Sequence, residues 1–248
     1  MSEVKILTKE IIIQEIPKFD DAVDLSQYTQ IDDDAAESLS KCKHLTAERL
    51  GGFCGADLCL DGLTQLSDAA AESLSKCKGW VYIYGKLLSL NGLTELSDAA
   101  AKSLSRCKRL SLNGLTELSD AAAEILSKRK EGLSLNGLTK LSDSAAESLS
   151  KCKGWVSLEG LTELSDAAAE SLSKCKRWVH LDLNGLRELS VAAAESLSKF
   201  KGREVSLNGL MELSDAVAGS LSKCKGSVSL DALTELSDTA VESLSKHK

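Results

Sequence analysis

The sequence is poor in aromatic residues and contains a single proline, Pro17. Phe, Trp and Tyr make up 4% of its 248 residues, which excludes a core built on large aromatic side chains. No apolar run approaches the roughly 18 residues needed to span a bilayer. The opening residues, Met1 to Lys5, lack the charged-then-apolar order of a signal peptide. We therefore expect a soluble, cytoplasmic protein that does not enter a membrane.

The sequence also lacks a basic surface. Its net charge is -7, and its lysines and arginines alternate with acids along the chain. Nucleic-acid-binding proteins instead concentrate positive charge on one face, where it displaces counterions from the phosphates. We therefore expect no nucleic-acid partner.

A catalytic constellation is missing as well. The three histidines, His44, His180 and His247, do not stand beside a repeated acid and nucleophile in the manner of a triad. The pairs of acidic residues recur at the same position of the repeat. Helix capping and surface solubility explain this recurrence better than a role in acid-base catalysis. The glycines form no phosphate-binding loop. The sequence predicts no enzyme, no catalytic residue and no cofactor.

What the sequence does contain is one unit that recurs nine times, with leucines that first alternate and then fall at helical spacing. The first two steps between units are 35 and 30 residues, and the later ones are 22 to 25, so we expect insertions near residues 44–56 and 79–86. The leucine before each corner marks the units: Leu25, Leu60, Leu90, Leu112, Leu135, Leu158, Leu183, Leu207 and Leu230.

Each unit predicts a short strand, a corner and a helix. In Leu133-Ser134-Leu135 the leucines point to one side and the serine to the other, as in a half-buried strand. An Asn-Gly pair then turns the chain, and Ser142 with Asp143 supplies an N-cap oxygen and a first-turn negative charge. Five Glu-Lys pairs at i and i+4 mark the solvated helix face. They are Glu72 and Lys76, Glu124 and Lys128, Glu147 and Lys151, Glu170 and Lys174, and Glu242 and Lys246.

This pattern resembles the leucine-rich-repeat superfamily over about nine tenths of the chain. The Leu-Ser-Lys-Cys-Lys and Leu-Ser-Asp segments are most similar to the cysteine-containing subclass and to short tandem arrays of planctomycete-type bacteria. The second corner residue, asparagine or cysteine in that subclass, is leucine here, as at Leu115 and Leu138. The resemblance implies an α/β solenoid in nine repeats over residues 23–248, with a curved parallel sheet on the concave face and short helices on the convex face.

The two ends of this array differ. Residues 1–22 match no repeat, and Lys9 to Ile16 predicts a helix that caps the first unit before Pro17 ends it. The ninth unit stays close to consensus and has no polar cap, although repeat arrays normally need one for solubility. We therefore expect this end to pack on another copy or a further domain, and its candidate contacts are Leu230, Leu233, Leu236 and Leu244.

Six of the eight cysteines share one repeat position, which indicates small buried side chains and not ligands. Phe200 takes this position once, as an apolar core position allows. Cys54 and Cys59 fall outside the pattern, so a zinc or redox site there stays open as a weaker hypothesis, although the spacing is not that of a zinc finger. The cysteines at the shared position are Cys42, Cys77, Cys107, Cys152, Cys175 and Cys224.

Residues that break the repeat are the candidate binding residues, because a scaffold recognises its partner through what differs between units. Aromatic side chains are preferred anchors of protein interfaces. We predict a non-enzymatic protein-protein interaction scaffold that binds through the concave face, beside a row of strand serines and corner asparagines. The alternative function is that of a subunit that self-assembles through its ninth repeat. The alternative role of the aromatic residues is to cover the core. The candidate binding residues are Trp80, Tyr82, Tyr84, Trp155, Trp178 and His180.

Overall fold

A computed structural model describes residues 4–15, 23–41, 58–76 and 87–245 of the chain. Both predicted insertions, at 44–56 and 79–86, lie outside these residues. The chain divides into two compact units: Met1–Leu115 with Arg129–Ser134, and Thr116–Lys128 with Leu135–Lys248. We describe each unit by itself.

The first unit carries a ladder of short parallel strands in the order β2, β4, β5, β6 and β7, and a separate parallel pair, β1 and β3. Its strands are β1 (Ile6–Leu7), β2 (Val23–Asp24), β3 (Gln30–Ile31), β4 (Leu58–Cys59), β5 (Leu87–Ser89), β6 (Arg109–Ser111) and β7 (Leu133–Ser134). Its helices are α1 (Lys9–Glu15), α2 (Asp33–Lys41), α3 (Asp68–Ser75) and α4 (Asp98–Leu104).

The second unit repeats the same order of strand, corner and helix. Its helices are α5 (Asp120–Ser127), α6 (Asp143–Leu149), α7 (Asp166–Ser173), α8 (Val191–Leu197), α9 (Asp215–Leu221) and α10 (Asp238–Ser245). Its strands are β8 (Val156–Ser157), β9 (His180–Asp182), β10 (Glu204–Ser206) and β11 (Ser227–Ser229). Strands β9, β10 and β11 form a parallel ladder to which β8 does not belong.

Within each ladder, neighbouring strands pair in register, so that equivalent residues of neighbouring repeats stack on each other. Val205 of β10 pairs with Leu181 of β9 on one side and with Val228 of β11 on the other. Each of the nine marker leucines directly follows a strand of the described residues. Strand, corner and helix therefore recur as tandem units, and the predicted α/β leucine-rich-repeat fold is confirmed.

The core consists of columns of leucine and alanine that run from repeat to repeat. In the sixth repeat Leu161, Ala168, Ala169 and Leu172 have no exposed surface. Burial of one leucine side chain contributes about 1.5–3 kcal/mol relative to leaving it in water. A single repeat cannot bury these side chains alone, so the stability of the array depends on contacts between neighbours.

The corner glycines allow successive turns to approach closely. A Cβ atom added at Gly114 would lie 2.1 Å from the carbonyl oxygen of Asn91, which belongs to the preceding corner. Any side chain there would collide with backbone, so the spacing between repeats requires glycine at this corner.

The N-terminal residues form half of a repeat. From the sequence alone, residues 1–22 are predicted to match no repeat. The structure has a helix, α1, where Lys9 to Ile16 was predicted to form one. The β1–β3 register pairs Ile6 with Gln30 and Leu7 with Ile31, so the helix stacks on α2. Sequence alignment does not detect this half repeat because Ile11 and Ile12 stand where the other helices carry paired alanines. Ile12 is nevertheless as buried as those alanines.

Candidate functional site

A serine caps each helix from α3 to α10, and most of these serines also donate a hydrogen bond to the preceding repeat. The Ser165 hydroxyl oxygen accepts a hydrogen bond of 3.0 Å from the Ala168 amide and donates its proton to the carboxylate of Asp143. One N-cap serine contributes about 1 kcal/mol to helix stability. We call this series the cap ladder. Its members are Ser67 to Asp33, Ser97 to Asp68, Ser142 to Asp120, Ser165 to Asp143, Ser190 to Asp166 and Ser237 to Asp215.

A second ladder runs along the corners. The side-chain oxygen of Asn91 accepts hydrogen bonds from the Ser111 hydroxyl at 2.7 Å and from the Asn113 amide at 2.9 Å. Asn184 binds Ser206 and the amide of Asn208 in the same way. The asparagine of the Asn-Gly pair thus forms the corner hydrogen bonds. The second corner position, which is polar in the cysteine-containing subclass, is leucine here, and its side chain takes no part in them.

The corner ladder uses the row of strand serines and corner asparagines for contacts within the protein. Ser89, Ser111, Ser157 and Ser206 are buried. Three of these hydroxyls donate to the corner residue of the preceding repeat, and Ser157 donates to Glu159 of its own repeat. Because the hydroxyls are engaged inside the protein, they are not free to bind a partner.

The corner ladder changes its chemistry at the sixth and seventh repeats. Glu159 replaces the corner asparagine, and Asp182 replaces the next strand serine. Burial raises the pKa of the Asp182 carboxyl above its usual value, and the neighbouring charge of Glu159 raises it further. Two carboxylates thus stand at this step of the ladder, whereas Ser111 and Ser206 each donate to an asparagine side chain. The change lies in the same part of the second unit where β8 and β9 belong to different ladders.

One strand position differs from repeat to repeat and takes no part in either ladder. This residue lies two positions before the strand serine, or before Asp182 in β9, so the alternation of the strand points it away from the core. It is aromatic, basic, acidic or small in different repeats. We call these positions the variable column. Its members are Leu87, Arg109 and Gly132 in the first unit, and Trp155, His180, Glu204 and Ser227 in the second.

In the variable column of the second unit, Trp155, His180 and Ser227 are exposed and Glu204 is half-buried. Trp155 exposes 47% of its surface, which is unusual for the largest side chain in proteins. His180 and Glu204 lie opposite each other on paired strands, and His180 Nδ1 lies 3.1 Å from Glu204 Oε2. His180 and Glu204 thus form a polar pair on the β9–β10 ladder, and Trp155 directly precedes β8, the strand before β9 in the chain.

The other aromatic candidates are placed differently. Trp178 exposes only 3% of its surface, so its prediction as a binding anchor is wrong and it covers the core instead. The strand begins at His180, so the alternation of strand side chains does not extend back to residue 178. Trp80, Tyr82 and Tyr84 lie outside the described residues.

The cysteine position is a core position, as predicted, for every cysteine that the structure describes there. Cys107, Cys152, Cys175 and Cys224 are buried, and so is Phe200 in the same column. Burial raises the pKa of the Cys107 and Cys224 thiols to about 11. Cys42 and Cys77 lie outside the described residues.

The repeat pattern does not predict the role of Arg129, which occupies the same column between Cys107 and Cys152. Its guanidinium is 2% exposed and donates hydrogen bonds to the carbonyl oxygens of Leu104 at 2.9 Å and of Lys108 and Gly132 at 3.0 Å. The planar fork of arginine suits such multiple donation. The signal in the sequence is one basic residue in an otherwise apolar column.

Part of the open zinc hypothesis lies outside the described residues, because Cys54 does. Cys59 is half-buried in β4, and burial raises the pKa of its thiol to about 11. Within the described ranges, no group of three or more His, Cys, Asp and Glu side chains could hold a metal ion. Nor does this part of the chain contain a helix that is long and apolar enough to cross a membrane.

The ninth repeat leaves its leucines partly uncovered. Leu230, Leu233 and Leu244 are half-buried, and Leu236 exposes 38% of its surface. In the eighth repeat the equivalents of the first three, Leu207, Leu210 and Leu221, are at most 1% exposed. The predicted contacts of this end therefore lie at an incompletely covered apolar surface.

Comparison with known proteins adds little to this description. No protein-family model matches the chain, and no curated protein matches it. Among solved structures the chain is similar to an internalin (inlF) from Listeria monocytogenes str. 4b F2365. The two chains are 12% identical, and the match covers 90% of this chain and 80% of the internalin with a TM-score of 0.34. The fold assignment therefore rests on the strand register and the repeated caps of this chain.

Proposed function

We propose that this protein is a protein-binding scaffold, and that the variable column of its second unit contacts the partner. The observation that supports the proposal most is the contrast between neighbouring positions of one strand. Leu181 is buried and Asp182 lies at the corner ladder, whereas His180, beside them, varies between repeats and faces solvent. Structural constraint therefore acts on every strand position except the variable column.

Trp155 is the proposed anchor of this surface. Tryptophan is enriched among the few residues that dominate binding energy at protein interfaces, because it buries a large rigid surface. An exposed tryptophan contributes nothing to the core, and its equivalents in neighbouring repeats are Gly132 and His180. Covering Trp155 by a partner would remove its apolar surface from water.

The shape of the variable column suits an extended or protein ligand better than a small molecule. His180, Glu204 and Ser227 lie on successive strands of one parallel ladder, which are spaced about 4.8 Å apart. A small-molecule site instead needs a concave pocket with convergent polar groups. His180 and Glu204 point off the sheet face and offer a hydrogen-bonding pair to a partner that crosses the strands.

A displayed library of random peptides tests the proposal, because such a selection requires no identified partner. We expect the immobilised protein to enrich peptides whose affinity falls about 30-fold or more for Trp155→Ala, as at an interface hot spot. Met211→Ala is the matched control, because Met211 is also large, apolar and 55% exposed but lies off the variable column. Enriched peptides that bind Trp155→Ala and the native protein equally would contradict the proposal.

A further inference from the structure

The uncovered surface of the ninth repeat has a defined counterpart in every inner repeat. Val241 of α10 is 49% exposed, whereas Ala218 and Ala194 at the same helix position have no exposed surface. In the inner repeats the following repeat covers this position. We call the uncovered surface of the ninth repeat, with Leu233, Leu244 and Val241, the trailing face.

The inner repeats also show what a complementary surface must contain. The following repeat places a corner leucine and a cap residue on the trailing face, and its cap hydroxyl donates to the first-turn aspartate. Asp215 accepts such a bond from Ser237. Asp238 is the equivalent aspartate of the ninth repeat, and it is exposed. A cover for the trailing face therefore needs the strand-to-helix half of a repeat, with a hydroxyl at the cap.

The N-terminal half repeat has these features. The β1–β3 register places Thr8 at the cap position, in line with Asp32 and Ser67, and Val4 at the corner-leucine position, in line with Leu63. No described residue precedes this half repeat in the stack. Its apolar side chains are correspondingly exposed: Val4 by 61% and Ile6 by 47%.

The first turn of α1 carries one positive and one negative charge, Lys9 and Glu10, and the charge of Lys9 complements the trailing face. Lys9 stands at the first-turn position that aspartate holds in α2 and α3. Stacking among the inner repeats places one aspartate after another, whereas stacking the half repeat on the ninth repeat would place Lys9 beside Asp238. Opposite charges a few ångströms apart attract, and like charges repel.

We propose that the trailing face of one copy binds the N-terminal half repeat of another copy, so that the array continues from chain to chain. Thr8 then takes the place of a cap serine toward Asp238, Val4 covers Leu233, and Lys9 faces the acidic first turn. The contact joins two different surfaces, so a dimer still has one free trailing face and one free half repeat, and assembly proceeds beyond the dimer. This inference does not depend on the proposed binding through the variable column.

Complementary single-face variants test the proposal by light scattering over a wide range of protein concentration. We expect the native chain to form species larger than its 26.4 kDa monomer, whose mass grows with concentration. Val241→Glu and Ile6→Glu each disable one face, so each variant alone should stay monomeric. Mixed in equal amounts, the two variants retain one intact pair of faces and should form a species of twice the monomer mass and none larger.

Control variants establish whether this contact is the cause of assembly. Met211→Glu places the same charge on an exposed side chain away from both faces and should assemble like the native chain. Unfolding curves in urea verify that all variants fold, which is expected because Val241 and Ile6 are both about half exposed. Trp155→Ala should leave the mass unchanged, so failure of the proposed function and failure of this inference are distinguishable.

Two results would overturn the inference. One is a native chain that is monomeric at every concentration. The other is an Ile6→Glu variant that associates as the native chain does, which would mean that the trailing face binds something other than the half repeat, such as a second trailing face.

Discussion

The hydroxyl of Ser190 donates to the carboxylate of Asp166, and this bond joins the N-cap of α8 to the first turn of the helix before it. The next member of the series is interrupted. Val191 occupies the aspartate position of α8, so Ser214 has no carboxylate there to bind. The Ser214 hydroxyl still accepts from the amide of Val217, at 3.3 Å, compared with 2.9 Å for the equivalent bond of Ser190.

Val191→Asp should complete the cap ladder and stabilise the protein. The new carboxylate would accept the Ser214 hydroxyl, and its charge would favour the first turn of α8 through the helix dipole. Val191 is 41% exposed, so little core packing is lost. We expect the free energy of unfolding in urea to rise by about 0.5–1.5 kcal/mol. Val191→Ala is the control, and an aspartate variant no more stable than the alanine variant would contradict the prediction.

Asp182→Ser should remove a destabilising carboxyl from the corner ladder. Serine is the residue of the other strands, and its hydroxyl could donate to Glu159, with a gain of about 0.5–1.5 kcal/mol at neutral pH. The pKa of Asp182 is raised on folding, so the unfolded chain releases this proton more readily, and ionisation lowers the stability of the native protein as pH rises.

The pH dependence identifies the cause. As the pH falls below the raised pKa, Asp182 becomes protonated in the folded protein and its penalty shrinks, and the penalty is lost below the pKa of the unfolded chain. The advantage of Asp182→Ser, measured by urea unfolding, should therefore shrink as the pH is lowered from neutral toward 3.8, the ordinary pKa of an aspartate. Asp182→Asn, which removes the charge without restoring the hydroxyl, is the matched comparison. An advantage that is constant over this range would show that ionisation is not the cause.

Arg129→Met should destabilise the first unit strongly. Methionine preserves most of the side-chain volume but leaves the carbonyl oxygens of Leu104, Lys108 and Gly132 without the guanidinium donors. Hydrogen bonds from charged donors contribute about 1.5–3 kcal/mol each, and unpaired buried carbonyls are costly. We expect a loss of about 2–4 kcal/mol in urea unfolding. Arg129→Lys should recover part of it, because lysine keeps the charge but cannot donate in a fork.

The thiols of Cys107 and Cys224 should resist alkylation in the folded protein. The thiolate is the reactive form, and burial raises the pKa of both thiols to about 11. Iodoacetamide labelling at neutral pH, read peptide by peptide by mass spectrometry, should modify both residues only after unfolding in urea. Rapid labelling of either residue in the native state would contradict its buried position.

Local patterns in the sequence predict most of the fold. The alternating leucines, the Asn-Gly corner and the cap serine each act within a few residues, and each forms the element that its pattern indicates. Ser142, for example, caps α6 as predicted, with its oxygen 3.0 Å from the amide of Ala145. Four of the five predicted Glu-Lys pairs are present on the helix surfaces, and Lys246 of the fifth lies outside the described residues.

The contacts between repeats could not be predicted in the same way. Ser142 and Asp120 are 22 residues apart, and only the register of the stack brings them together. The same limit applies to Trp178. Two more residues separate Cys175 from Leu181 than separate Cys152 from Val156, and the longer connection returns Trp178 to the core. The candidate site, the variable column, is therefore identified by the structure: it consists of the strand side chains that point away from the core and that neither the cap ladder nor the corner ladder uses.

The corner ladder has a consequence for how this protein can change. It uses the strand serine and the corner asparagine, as at Ser111 and Asn91, and leaves the side chain of Arg109, two positions before the serine, outside the ladder. Under the proposed function, recognition and folding use different side chains of the same strand. New specificities can arise by substitution along one column at little cost in stability, so the chain is a natural starting point for a randomised binder library.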